Sequence, residues 1–134
     1  MKGSVILDLH RMNKIVEINE EYAFAIVEPG VTFFDLYAEI KRRGLGLWPS
    51  TPSLGWGSIL GNTLERGFGY TPDGEHSQAQ CGMEVVLPDG ELVRTGMGAM
   101  EGSSLFPLFK GYASLLCRPE VSFRGCTASI RYRS

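Results

Sequence analysis

Long apolar runs are missing from this 134-residue sequence. No stretch reaches the roughly eighteen apolar residues that a membrane-spanning helix needs. Asp8 interrupts the apolar residues near the N-terminus before a secretory signal segment reaches a useful length. The sequence therefore predicts a soluble chain with no targeting segment, and we expect a cytoplasmic location and no membrane partner.

Paired cysteine motifs are also missing. The three cysteines, Cys81, Cys117 and Cys126, are an odd number, lack a CxxC spacing and have no cluster of histidines nearby. A disulfide framework and a zinc site are therefore not indicated, and no metal ligand is predicted. The two histidines, His10 and His76, stand alone in predicted turns, where a solvated or hydrogen-bonding role is favoured over that of a catalytic base.

The sequence also has no excess of basic charge. The chain carries 13 Lys and Arg against 15 Asp and Glu, a net charge of -2. This balance gives no electrostatic footprint for nucleic acid. Neither a GxxxxGK[ST] motif nor a GxGxxG motif after a strand is present, so neither a P-loop nucleotidase nor a Rossmann domain is supported.

What is present indicates one globular domain of mixed structure. Short apolar runs rich in β-branched residues predict three strands, at Ser4–Leu9, Ile15–Asn19 and Ala23–Val27, with antiparallel neighbours. A further β-rich run, from Cys81 to Gly96, contains a Pro-Asp-Gly turn and predicts a hairpin.

One helix is predicted from residue 33 to residue 43. Its apolar positions recur at helical spacing, acids come early and bases late, and Gly44 follows the end. Thr32 and Asp35 stand three residues apart at its start, which is typical of an N-terminal cap.

A long connection, residues 45–80, separates this helix from the hairpin and has room for one or two helical turns around Ser58–Glu65. A loop of this length in a compact domain is usually functional or disordered, and its many apolar residues argue against disorder. Within it, GWGSILGNTLERGFGY places five glycines beside Trp56, Phe68 and Tyr70. Two interpretations stay open: glycine backbone that hydrogen-bonds a large, flat cofactor, together with Ser58, Asn62 and Thr63 at a helix N-terminus, or glycines that only permit close packing.

The C-terminal part has a different composition. Residues 118–134 carry four arginines and one glutamate, a net charge of +3, whereas residues 1–117 carry -5. The break near Leu116 predicts a separate basic tail, of which a solvated surface is the simplest interpretation.

Three motifs resemble one known family: IVEPGVTFFDLY, GWGSILGNTLERGFGYTPDGEH and CGMEVVLPDGELVRTGMGAM. In order and spacing they resemble the FAD-binding domain of the vanillyl-alcohol oxidase and p-cresol methylhydroxylase (PCMH) family, over residues 3 to about 112. The resemblance implies an α+β fold, a partial PCMH-type FAD-binding domain of mainly antiparallel sheet with flanking helices. It divides the chain into that domain at 1–112 and a divergent basic tail at 113–134.

The resemblance also implies FAD as cofactor, a small phenolic substrate, and hydride transfer from the para-alkyl or benzylic carbon of a 4-substituted phenol. It places Glu28, Pro29 and Gly30 near the adenine end, and Tyr70 in the wall of the substrate cavity. The residues implied to lie along the flavin and its pyrophosphate are Pro52, Ser53, Leu54, Gly57, Ser58, Gly61, Asn62, Glu65, Gly67 and Gly69.

Two departures from the family pattern concern chemistry. Ser53 stands where many oxidases of the family have an aspartate, and the methylhydroxylase branch resembles this chain in having serine there. The resemblance therefore leaves open a dehydrogenase or hydroxylase mode that passes electrons to a partner protein instead of to oxygen. Asp73 stands where family members often have tyrosine.

The resemblance implies further family segments before Ser4 and after Tyr112, which we do not expect this chain to contain. By the same resemblance these segments would carry half of the cofactor clamp and the groups that stabilise the phenolate, so we expect weak or no flavin binding by the isolated chain. The alternatives to an enzyme fragment are a non-catalytic truncated remnant and a small binding module with the same fold.

Overall fold

The computed structural model describes residue 3 and residues 6–72, 74–87, 89–94, 122–129 and 131–132, the last two stretches as backbone only. The described helices are α1 (Phe33–Arg43), α2 (Ile59–Leu64) and a 3-10 helix (His76–Ala79). The described strands are β1 (Ile15–Asn19), β2 (Phe24–Val27), β3 (Leu47–Trp48), β4 (Gln80–Val86), β5 (Leu92–Arg94), β6 (Ser122–Ser129) and β7 (Arg131–Tyr132). No helix in these parts of the chain has the length and apolar character needed to cross a membrane.

The main sheet has five strands in the order β1-β2-β6-β4-β5, and every neighbouring pair is antiparallel. The predicted strands at Ile15–Asn19 and Ala23–Val27 are confirmed as β1 and β2, with the second one residue shorter. The predicted hairpin is confirmed as β4 and β5, where Val85 pairs with Val93. Its turn contains Gly90 at a φ of 88°, which glycine adopts at low cost. Pro88, Thr95 and Gly96 lie outside the described residues.

The first predicted strand, Ser4–Leu9, is wrong over its described part. Residues 6–9 form no strand, and the backbone N-H of Met12 donates to the carbonyl of Leu9 at 2.9 Å, which closes a turn. Ile6 and Leu7 are exposed, so this apolar run covers no core face. An apolar run becomes a strand only where a partner strand and a buried face are available, and the described chain offers it neither.

The first helix begins and ends as the sequence predicts. The backbone N-H of Asp35 donates to Thr32 Oγ1 at 3.1 Å, and the backbone N-H of Thr32 donates to Asp35 Oδ2 at 3.0 Å. This reciprocal pair is a capping box. Gly44 follows the last turn at a φ of 68°, the left-handed conformation that ends many helices.

The hydrophobic core lies between the main sheet and the two α-helices. Its buried residues are Ala25, Val27, Val31, Phe33, Leu36, Ile40, Leu47, Ile59, Leu60, Leu64, Met83 and Val85. The face of α1 that carries Phe33, Leu36 and Ile40 is buried here. The sheet contributes residues from β2 and β4, which flank β6. Leu47, Ile59, Leu60 and Leu64 thus fix parts of the long connection in the core.

Part of the predicted C-terminal tail lies inside the main sheet. β6 occupies the position between β2 and β4, with the backbone of Cys126 opposite both Val27 and Met83. β7 pairs with β3 in a second, two-stranded sheet. The division into a domain at 1–112 and a tail at 113–134 stays a prediction, although the tail supplies strands to both described sheets.

Candidate functional site

Large apolar side chains point to solvent along the long connection. Trp56 is 75% exposed and Tyr70 is 87% exposed, and Leu54 and Phe68 are similarly open. Exposed apolar groups gathered on one segment are typical of a binding surface. We call residues 52–57 the first loop and residues 65–70 the second loop.

The first loop is fixed to the start of α1. The backbone N-H of Phe33 donates to the carbonyl of Gly57 at 3.4 Å, and that of Phe34 donates to the carbonyl of Gly55 at 3.1 Å. The ring of Trp56 meets the ring of Phe34 edge to face, with centroids 4.7 Å apart. These contacts use two of the free N-H groups of the helix start, so the loop has a defined backbone position.

Two glycines of the first loop have opposite surroundings. A Cβ on Gly55 would lie 2.7 to 2.9 Å from the ring of Phe34, so this glycine permits close packing. A Cβ on Gly57 would have no heavy atom of the described residues within 4 Å, apart from Gly57 itself and its two neighbours in the chain. The packing interpretation therefore explains Gly55, whereas Gly57 leaves a patch of backbone accessible to a ligand.

The glycines of α2 and the second loop donate backbone hydrogen bonds to other atoms of the chain. The backbone N-H of Gly61 donates to Ser58 Oγ at 3.0 Å, that of Gly67 to the carbonyl of Asn62 at 2.7 Å, and that of Gly69 to the carbonyl of Gly74 at 2.9 Å. The hypothesis that glycine N-H groups are free for a ligand is therefore wrong at these three positions. Thr63, also considered at the helix start, is buried.

The second loop begins with a tight reversal at the end of α2. The N-H of Gly67 reaches the carbonyl of Asn62, and the N-H of Arg66 donates to the carbonyl of Thr63 at 3.2 Å. This pair of hydrogen bonds is a Schellman motif, and Arg66 stands in its left-handed position with a φ of 54°. The reversal directs Phe68 and Tyr70 away from the core.

A network of four polar side chains lies behind the two loops. Ser50 Oγ is 2.9 Å from Thr71 Oγ1 and 3.3 Å from His76 Nε2. On the other side of the imidazole, His76 Nδ1 contacts Asn62 Oδ1. His76 is 5% exposed, and its ring packs against that of Phe33 with centroids 5.3 Å apart. The hydrogen-bonding role predicted for this histidine is confirmed.

Burial lowers the pKa of His76 from its ordinary value of 6.5, because the charged imidazolium loses hydration. The described groups in contact with the ring are uncharged: Phe33, Ser50, Asn62 and the backbone of Gly69. The neutral imidazole is therefore the form that the folded chain stabilises.

We expect this burial to make stability depend on pH. Since the folded-state pKa of His76 lies below 6.5, the unfolded chain takes up a proton at a higher pH than the folded chain. The free energy of unfolding then decreases as the pH falls below about 6.5 and levels off below the folded-state pKa. Urea unfolding at a series of pH values, on the wild type and on His76→Gln, measures this; parallel pH profiles for the two proteins would contradict it.

The structure brings the two predicted catalytic residues onto adjoining segments. A Cβ on Gly69 would lie 2.5 Å from Ser50 Oγ and 3.3 Å from the carbonyl oxygen of Thr51, so residues 50–51 run beside residue 69. Ser53 lies two residues beyond this contact and Tyr70 one residue beyond it, and both are exposed. The predicted cofactor-binding residues that are exposed are Ser53, Leu54, Gly57, Gly61 and Glu65, and those that are partly buried are Pro52, Ser58, Asn62, Gly67 and Gly69.

Other residues from the sequence analysis have structural roles or no description. Glu28 Oε2 accepts a hydrogen bond from the backbone N-H of Lys14 at 2.8 Å, which fixes the turn before Gly30. Asp73 lies outside the described residues. The sequence does not indicate the roles of Ser50 and Thr71, because an isolated hydroxyl residue in a loop carries no signal of a hydrogen-bond partner 21 residues away.

Comparison with protein families matches residues 1–96 to an FAD binding domain. Among curated proteins, the chain is 51% identical over 118 residues to the 4-cresol dehydrogenase [hydroxylating] flavoprotein subunit of Pseudomonas putida, covering 86% of the chain and 22% of that protein. It is 36% identical over 100 residues to a glycolate oxidase subunit of Bacillus subtilis, covering 71% of the chain and 21% of that protein.

Two solved structures are similar in fold and sequence. One is p-cresol methylhydroxylase with substrate bound, with a TM-score of 0.82, 39% identity, and coverage of 98% of this chain and 27% of that chain. The other is 4-ethylphenol oxidase from Gulosibacter chungangensis in an isoeugenol complex, with a TM-score of 0.77, 40% identity, and coverage of 91% and 24%. The chain thus spans about a quarter of the length of these proteins and about a fifth of the curated relatives.

Proposed function

The chain belongs to the FAD binding domain family, and from that premise we propose that it forms one wall of the FAD site of an oxidoreductase acting on 4-substituted phenols. The resemblance to the vanillyl-alcohol oxidase and p-cresol methylhydroxylase family is confirmed. The α+β fold of PCMH type, with mainly antiparallel sheet, is confirmed as well.

The open backbone at Gly57 is the observation that supports this proposal most directly. It directly follows the exposed Trp56 and comes three residues after the exposed Leu54, on a loop that hydrogen-bonds to the start of α1. Such a surface fits a large, flat group with apolar faces and polar edges, which is the shape of FAD. A rigid wall with no side chain in the way lets a flat cofactor approach the backbone closely.

The residues of the first loop and the start of α2 would hold the cofactor. Pro52, Ser53, Leu54, Gly57 and Ser58 present it with short or apolar groups that leave room for its ring and pyrophosphate. The other residues assigned to the cofactor site are Gly61, Asn62, Glu65, Gly67 and Gly69. Of these, Gly67 and Gly69 act through close packing and internal hydrogen bonds, which keep the two loops in place.

FAD, when bound, supplies the acceptor for a hydride that leaves the benzylic carbon of the phenol. This chain contributes by orienting the substrate and by excluding water. Tyr70 forms a flat wall for the aromatic substrate, and its exposure allows a ligand to reach it. Aromatic walls of this kind bury ring surface and restrict the substrate to a productive plane.

Ser53 determines which chemistry is available beside the substrate. Its hydroxyl is neutral at every ordinary pH, so it neither attracts a cation nor accepts a proton as an aspartate does. We therefore propose the dehydrogenase or hydroxylase mode, in which electrons leave for a protein partner. The relative from Pseudomonas putida is described as a hydroxylating dehydrogenase and as a flavoprotein subunit, which supports this assignment.

A flavin titration tests the proposal. The isolated chain is titrated with FAD beside a hybrid polypeptide, in which this chain replaces the 118 residues that it matches in the Pseudomonas putida subunit. We expect stoichiometric flavin binding and oxidation of 4-methylphenol by the hybrid, and weak or no binding by the chain alone. A folded hybrid that contains no flavin would contradict the proposal.

Tyr70 provides the substrate-side prediction. Tyr70→Ala in the hybrid is expected to raise the KM for 4-methylphenol at least tenfold without loss of flavin, because a flat wall of the substrate site is removed. Tyr22→Ala is the matched control, since Tyr22 is also exposed, at 71%, but lies in the turn between β1 and β2. Equal KM values for the two variants would remove Tyr70 from the substrate site.

A further inference from the structure

The four side chains behind the two loops have one consistent assignment of hydrogens. Asn62 Oδ1 only accepts hydrogen bonds, so His76 Nδ1, which contacts it, carries the proton of a neutral ring. His76 Nε2 then accepts from the hydroxyl of Ser50, 3.3 Å away. The Ser50 oxygen in turn accepts from Thr71 Oγ1 at 2.9 Å. The donors therefore run in one direction, from Thr71 through Ser50 to His76 and on to Asn62.

We propose that His76 is a positioning residue, whose Nδ1-H tautomer joins the segment that leads to Ser53 and the segment that carries Tyr70 to helix α2. The inference rests on the proposed function, in which Ser53 and Tyr70 face the cofactor and the substrate. It assigns to His76 no contact with either. We call Ser50, Asn62, Thr71 and His76 together the clasp.

The clasp joins three parts of the chain through side-chain hydrogen bonds. Ser50 precedes the first loop, Asn62 belongs to α2, and Thr71 follows the second loop. Ser50 and His76 each bond to two other members, and the imidazole is the one of the two that reaches Asn62 in α2. Loss of the hydrogen bond at one ring nitrogen releases the segment bonded there, while the segment bonded at the other nitrogen remains attached.

Close approach of the backbone completes this arrangement. A Cβ on Gly69 would lie 2.6 Å from His76 Nε2 and 2.5 Å from Ser50 Oγ, so the second loop lies directly against the clasp. The N-H of His76 also donates to the carbonyl of Gly67 at 2.8 Å. Residue 76 is thus in contact with the backbone segment that leads to Tyr70.

The chemistry of the ring agrees with a neutral, fixed tautomer. His76 is buried, and Phe33 covers its ring. The described contacts offer no carboxylate to stabilise an imidazolium, and burial lowers the pKa of the group. A neutral imidazole donates at one nitrogen and accepts at the other, so it can join two uncharged partners. A Gln or Asn amide at this position would reach the place of only one of the two nitrogens.

Two substitutions test the hydrogen bonds at the two ring nitrogens separately. In His76→Gln the amide reaches the position of Nε2 and retains an acceptor for Ser50. In His76→Asn the shorter amide reaches the position of Nδ1 and retains a donor for Asn62 only. His10→Gln, at an exposed histidine in the turn before β1, is the matched control.

The experiment measures amide hydrogen exchange in the whole chain and the 15N spectrum of the His76 ring. We expect the Nδ1-H tautomer in the wild type. We also expect at least tenfold faster exchange in residues 50–54 and 67–71 for His76→Asn, less than threefold for His76→Gln, and no change for His10→Gln. An Nε2-H tautomer, or equal exchange in the Asn and Gln variants, would overturn the proposal.

Catalysis by the hybrid polypeptide separates failure of this inference from failure of the proposed function. We expect kcat for 4-methylphenol to fall at least tenfold in His76→Asn at unchanged flavin content, and to be largely retained in His76→Gln. A parent hybrid that oxidises no phenol would contradict the proposed function, while the exchange pattern would still decide whether the clasp exists. An active hybrid with equal kcat in both variants would contradict the positioning role.

Discussion

Replacing Gly30 by alanine is expected to lower the free energy of unfolding by about 3 kcal/mol, near the upper end of the usual cost of overpacking. A Cβ on Gly30 would lie 2.7 Å from the carbonyl oxygen of Leu9, 2.8 Å from that of Met12 and 2.9 Å from that of His10. All three atoms belong to the backbone, so no side-chain rotation relieves the contacts. The N-H of Gly30 also donates to the carbonyl of Met12 at 2.7 Å, which prevents the turn from moving away.

Urea unfolding followed by circular dichroism measures this cost, and Gly46→Ala is the matched control. The nearest heavy atom to a Cβ on Gly46 would be Glu20 Oε1 at 3.8 Å, an ordinary contact. We expect the control to change the unfolding free energy by less than about 1 kcal/mol, and any gain to come from the lower entropy of its unfolded chain. A Gly30→Ala protein as stable as the control would show that the turn before α1 adapts. If Gly30→Ala does not fold, the expected direction is met and the cost exceeds the expected value.

The parts of the fold that the sequence predicts correctly depend on neighbours in the chain. Thr32 and Asp35 form their capping box across three residues, and the β4-β5 hairpin closes around Asp89 and Gly90. The failed strand at residues 6–9 has a suitable composition and no described partner. The central position of β6 depends on pairing between Cys126 and residues 43 and 99 positions earlier, Met83 and Val27, and no local pattern reports such a pairing.

The candidate site likewise has features that the sequence predicts and features that depend on distant contacts. The sequence identifies the glycine-rich segment and its aromatic residues, because composition alone distinguishes them. It does not say that a Cβ would meet Phe34 at Gly55 and nothing at Gly57, since this depends on where α1 lies. It also misses the clasp, whose members Ser50 and His76 are 26 residues apart and become partners only through folding.

Gly57→Leu is expected to weaken FAD binding by the hybrid polypeptide at least a hundredfold, a loss of about 2.7 kcal/mol. The reason is steric: the leucine side chain would occupy the open space at position 57, where we place the cofactor. The same openness predicts a small effect on folding, because the new Cβ would have no atom of the described residues within 4 Å, apart from residue 57 itself and its two neighbours in the chain. Binding and stability are thus expected to respond separately, and titration by flavin fluorescence together with urea unfolding measures both.

A graded series sharpens this result. Gly57→Ala adds one methyl group to the wall and is expected to weaken binding less than Gly57→Leu does, whereas Gly46→Leu adds the same bulk on an exposed segment next to β3 and should leave binding unchanged. If Gly57→Leu binds FAD as tightly as the parent hybrid, the cofactor does not lie over Gly57, and the observation that most directly supports the proposed site is lost. If Gly57→Leu instead unfolds as readily as Gly30→Ala, the space at Gly57 is filled by the protein itself. Separate responses of binding and stability are therefore what distinguish a cofactor wall from a packing loop.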